Sequence, residues 1–145
     1  MKHIFYTSLP CLPSFNGRTN PYRVCARVWP TLSVAATMFK AKHGETWNKN
    51  AYAYFHLDST GHNLGEAHFV VSKMSLDTVT HEFVHAAQRF LAAHTFRPII
   101  CCTYDIGDSP EECVAYVTGF LTNEFVRRLT PGLRERLLVN TQECV

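Results

Sequence analysis

The sequence predicts an α+β fold: a small, mainly antiparallel N-terminal sheet, then a long amphipathic helix and further C-terminal helices. Three observations lead there. The N-terminal half gathers β-branched and aromatic residues into short alternating runs. The C-terminal half repeats apolar residues at helical spacing. The period changes once, at Ser75, so strands and helices are segregated along the chain.

Along the chain, Tyr22 to Trp29 and Thr31 to Phe39 read as strands parted by Pro30, which cannot donate to a ladder. Lys40 to Asn50, with Gly44, Asn48 and Asn50, reads as a loop. Ala51 to Leu57 alternates, with Tyr52 and Tyr54 on one face and Phe55 and Leu57 on the other. Those tyrosines are read as packing residues rather than as a substrate platform. Asp58 to Gly61 is a turn, and Leu64 to Val71 is a further strand with Ala67, Phe69 and Val71 on one face. Helices are expected at 75–93, 110–128 and 131–140, with an irregular stretch from Thr95 to Asp108.

Residues 1–145 are expected to form one domain, long enough for a real core. A hydrophobic content of 46% with 18% charged residues places the chain among soluble globular proteins. The net charge of +2 conceals an asymmetry. Residues 1–75 carry 8 Lys+Arg against 3 Asp+Glu, and residues 76–145 carry 6 against 9. The positive half shows neither a basic run nor an RNA-binding signature, which argues against nucleic acid as a partner. No apolar run reaches the length that spans a membrane. The segment from Ile4 to Leu9 is too short and polar for a signal peptide, so a cytoplasmic protein with reduced, mostly buried thiols is expected despite six cysteines.

The richest signal is His81-Glu82-Phe83-Val84-His85, an H-E-x-x-H sequence. On a helix, two histidines four positions apart project from one face, and their imidazoles can converge on one Zn²⁺. The Glu between them points about 100° round the axis, near enough to reach a water at the metal without displacing it. The flanks support a helix. Ser75 is a good N-cap, Asp77 sits in the first turn, and no Gly or Pro interrupts the run to Ala93. Leu76, Val79, Phe83, Ala86, Ala87, Phe90 and Leu91 share one arc, opposite His81, His85 and Gln88.

A catalytic zinc takes three protein ligands and leaves one position for water. The segment starting at Ser109-Pro110 opens a helix and offers Glu112 as third ligand, with Glu111 as the fallback. Ser109 and Glu112 are also spaced as a capping box, which would occupy that carboxylate otherwise. Val114, Val117, Leu121 and Phe125 form the expected core stripe, and Glu112, Tyr116, Gly119 and Asn123 the opposite face.

Together, His81 to His85 followed by Glu112-x-x-Ala115-x-x-x-Gly119 resembles the gluzincin branch of the zincin metallopeptidases. The match covers about residues 64–125, and nothing in 1–60 contributes to it. The resemblance implies a zinc-dependent enzyme that hydrolyses peptide bonds in a peptide or protein substrate. It makes His81, His85 and Glu112 the ligands, Glu82 the general base, and Leu64 to Val71 an edge strand that holds the substrate. The size resembles minimal zincins often encoded by phages, which would put the protein in a host cytoplasm. One departure is Tyr116, at the position where the family often has an Asp. A phenol there is either an oxyanion donor or a buried, backbone-bonded tyrosine. The metzincin pattern fails, because it would need Gly at Gln88 and His at Leu91.

The expected chemistry has zinc acidify water and polarise the carbonyl while Glu82 shuttles the proton. A rival reading is a non-catalytic, zinc-stabilised protein that binds or inhibits a host protein; a third is an enzyme acting on a non-peptide amide or ester. Arg89 shares a flank with Glu82 but reads as a solvated residue. His3, His43, His56, His62 and His68 have no helical partner at ligand spacing and read as ordinary surface or core residues. His94 falls on the wrong side of the helix for a ligand. Oligomeric state is not encoded in these patterns.

Overall fold

The computed structural model describes residues 3–13, 21–57, 61–93, 100–101, 104–105 and 110–143. In order, these form β1 (Phe5–Pro10), β2 (Arg23–Trp29), α1 (Leu32–His43), β3 (Ala53–Leu57) and β4 (Asn63–Val70). A 3₁₀ turn (Val71–Lys73) then leads into α2 (Leu76–Ala93). Two short strands, β5 (Ile100–Cys101) and β6 (Tyr104–Asp105), precede α3 (Pro110–Arg128) and α4 (Pro131–Glu143). The fold is α+β. Its main sheet has the order β1-β2-β4-β3, antiparallel at β1–β2 and β3–β4 and parallel at β2–β4.

The parallel pair requires a crossover, and the crossover explains the main departure from the expected strands. Leu32 to Phe39 is helical. The Thr31 hydroxyl accepts the Val34 N–H at 3.2 Å, an N-cap, and Gly44 at φ 72° closes the helix with its N–H on the Lys40 carbonyl. Lys40 to His43 therefore belongs to α1 rather than to a loop. Ala35 and Phe39, one turn apart, bury against Trp29, Trp47 and Val70 on one face of the sheet. The β-branched Val34 and Thr37 suggested a strand, but apolar spacing along the helix and the demands of the crossover prevail.

On the other face, α2 and α3 cover Ala67 and Phe69 of β4. Phe69, Phe83 and Phe125 form an aromatic triangle with centroids 5.1–6.0 Å apart. The start of α2 is fixed twice. Ser75 Oγ accepts the Thr78 N–H at 3.3 Å while Thr78 Oγ1 accepts the Ser75 N–H at 2.8 Å, a reciprocal cap with Thr in the usual Glu position. Asn140 of α4 donates to the carbonyls of Val71 and Met74, both at 2.9 Å.

The resemblance places Leu64 to Val71 at the edge of the sheet. This stretch is not an edge strand: β4 is paired on both sides, to β2 and β3, so its backbone has no free edge to offer a substrate. The outer strand beside α2 is β3. Among the described residues, no helix is long and apolar enough to cross a membrane. Cys11 and Cys113 are buried free thiols and Cys25 is half-buried; burial pushes the Cys11 thiol up to about 12. Ser109, His94, Cys102 and Cys144 lie outside the described residues.

Candidate functional site

Helix α2 turns its apolar arc inward, with Val79, Phe83, Ala86, Ala87 and Phe90 buried. Its opposite face presents His81 and His85, both exposed, with ring centroids 5.1 Å apart in an edge-on arrangement. Glu82 sits at the boundary between these faces, only 6% exposed. All three line a cleft of about 340 Å³ whose other wall is Ala53, Tyr54, Phe55 and Leu57 of β3. Phe55 stacks on His85, 6.3 Å between centroids and 20° between planes.

The electrostatics follow from that placement. Burial raises the pKa of Glu82, opposed by the charge of His81. Burial lowers that of His85, with His81 adding to the effect. A desolvated carboxylate beside a neutral imidazole is a proton acceptor next to a lone pair able to bind a cation.

The first turn of α3 carries Glu111 and Glu112, both exposed. Glu111 borders a groove of about 490 Å³ between α2 and α3, with Val84, Gln88, Val114 and Thr118. Glu112 and Tyr116 each engage a partner. Neither glutamate joins His81 and His85 in a group whose ligand atoms all lie within 4.8 Å of one another among the described residues. Arg89 faces away from the cleft, lining a separate depression with Tyr22, Gly61 and Asn63.

A group that does meet that distance lies on the far side of the sheet: His43 of α1 with Glu66 and His68 of β4. Glu66 Oε1 accepts from Arg27 Nε at 3.2 Å and from Lys42 Nζ. Glu66 Oε2 lies 3.2 Å from His43 Nε2 and 3.6 Å from His68 Nε2, and these two nitrogens are 3.3 Å apart. Trp29 Nε1 donates to His68 Nδ1 at 3.0 Å. Burial works to raise the Glu66 carboxyl, yet His68, Lys42 and Arg27 hold it well below the usual carboxylate range. Burial lowers both His43 and His68, so both imidazoles are neutral near pH 7. The sequence signal was present in part, since Glu66 and His68 are two apart on a strand and so share a face. Reading 31–39 as a strand hid His43, which only a helix brings over that face.

No family model, curated protein or solved structure matches this chain.

Proposed function

We propose that the chain is a zinc-dependent metallopeptidase of the zincin type, with His81 and His85 as ligands and Glu82 as general base. The third ligand in this reading is Glu112, with Glu111 one position away, supplied by the first turn of α3. One observation carries it: a single cleft holds both H-E-x-x-H imidazoles, the buried Glu82 carboxylate and the outer strand β3. The donor set of two imidazoles one turn apart suits zinc, and a carboxylate on a neighbouring helix would complete it.

Zinc in that position would supply Lewis acidity, polarising the scissile carbonyl and acidifying water. The outer edge of β3 pairs with no other strand among the described residues, so its N–H and C=O groups suit an extended peptide laid alongside. Glu82, desolvated and at the floor of the cleft, takes a proton from water as the oxygen bonds to the carbonyl carbon. It returns that proton to the amide nitrogen as the C–N bond breaks. Phe55 lies alongside the His85 ring and forms part of the cleft wall next to it.

The test is Glu82→Gln, which preserves shape and removes the base. Incubated with a peptide library, purified wild type should yield cleavage products and the variant none, with equal zinc content in both. A variant that cleaves as fast as wild type would overturn the mechanism.

A further inference from the structure

We propose that His43, Glu66 and His68 form a second divalent-cation site, for zinc or a similar borderline metal, on the sheet face opposite α2. Nothing in this proposal depends on the peptidase reading. The three ligand atoms form a triangle that matches one face of a coordination tetrahedron. With zinc bonds of about 2.0–2.2 Å, neighbouring ligands of a tetrahedral site lie about 3.3–3.6 Å apart. The three ligand atoms here are separated by 3.2, 3.3 and 3.6 Å. Two imidazole nitrogens and one carboxylate oxygen are the donor types such a metal selects.

A second observation is independent of those distances. Glu66 is 5% exposed, and its Oε2, flanked by the Nε2 atoms of His43 and His68, makes no hydrogen bond of good geometry to either ring. A buried carboxylate oxygen met only by poorly aimed contacts is costly, and a cation at the centre of the triangle would satisfy it. Its other oxygen is already held by Arg27 and Lys42, which leaves Oε2 as a single ligating atom. The rings are braced as well. His56 stacks on His43 at 3.7 Å, and Trp29 lies parallel to His68 at 6.1 Å.

Two features oppose the cation, and they give the proposal its signature. Arg27 and Lys42 place positive charge beside Glu66. Moreover, a histidine that binds metal through Nε2 carries its proton on Nδ1, where Trp29 Nε1, a donor only, now points. Loading the site must break the Trp29–His68 hydrogen bond. Metal occupancy is therefore coupled to the indole of Trp29, and its affinity is held down by Lys42.

The experiment uses the full chain carrying His81→Ala and His85→Ala, two exposed positions, so that the α2 imidazoles contribute nothing. Zn²⁺ is titrated against a chromogenic chelator while tryptophan emission is followed. We expect one equivalent bound with a change in emission. Adding Lys42→Ala, at an exposed position, should tighten binding about fivefold by removing one nearby charge. Adding His43→Ala should weaken binding at least about tenfold. If the doubly substituted chain binds no zinc, or binds it equally with His43→Ala, the second site does not exist, and Trp29, His68 and His43 are a plain hydrogen-bonded chain. Wild type then binding one zinc would leave the peptidase reading intact. Equal stoichiometry in wild type and the double variant, lost with His43→Ala, would support this site and count against the other.

Discussion

His85 of α2 and Phe55 of β3 lie nearly parallel, with ring centroids 6.3 Å apart. The second histidine of the H-E-x-x-H sequence is thus coupled to the sheet edge. Displacement of β3 moves the cleft wall and withdraws the ring that flanks that imidazole.

Gly65 controls the position of β3. Its φ is 155°, and a Cβ there would meet His56 O at 2.5 Å and Phe55 Cζ at 2.6 Å. Gly65→Ala should therefore push β3 outward and destabilise the fold by about 1–3 kcal/mol, measured by urea unfolding. Peptide cleavage should fall more than zinc content, because both histidines stay on α2. Unchanged stability would mean that β3 adapts freely.

Burial of Glu82 makes a prediction about pH. Its folded pKa is raised, so the folded chain holds this proton more tightly than the unfolded chain. The resulting stabilisation is fully present below the ordinary carboxylate value of about 4.3 and is lost as pH rises through the folded value. In chelator-treated protein, Glu82→Gln should remove that loss, giving a Tm above wild type at neutral pH and a smaller difference near pH 4. An equal difference at both pH values would refute the desolvation account.

The third ligand of the proposed α2 site can be assigned by metal analysis. On this reading Glu112→Gln lowers zinc content or affinity at least about tenfold, whereas Glu111→Gln leaves it near wild type. The reverse result would move the ligand one position along α3. Equal zinc in both variants would exclude the first turn of α3 as its source.

Asn140 links the last helix to the entry of α2 through two hydrogen bonds at 2.9 Å. Asn140→Ala leaves the Val71 and Met74 carbonyls without that donor and should cost about 1–3 kcal/mol. Thermal unfolding measures it; a change under half of the lower figure would show that water replaces the amide.

Much of this architecture was legible in the residues. The α2 arc from Leu76 to Leu91 and the Val117, Leu121, Phe125 stripe declare themselves because burial on one side imposes a 3.6-residue period. What was hidden is what sequence spacing does not encode. The β-branched residues at 31–39 suit either a strand or a helix, and only pairing of β2 with β4 decides between them. Strand order is equally invisible locally, so an edge was expected at 64–71, whereas the edges are β1 and β3. His43 fell out of view with the helix that carries it. The two α2 histidines, by contrast, are neighbours through helical geometry alone and needed no tertiary information.

Strand β4 sends Glu66 and His68 toward α1 and sets Ala67 and Phe69 against α2 and α3. A one-residue slip would exchange these sets, driving a carboxylate and an imidazole among phenyl rings and turning Phe69 toward Arg27 and Lys42. Incorrect alignments of this strand are thereby rejected as the chain folds, and the same two-sided residue pattern that seats the polar cluster also acts as a ruler for assembling the sheet.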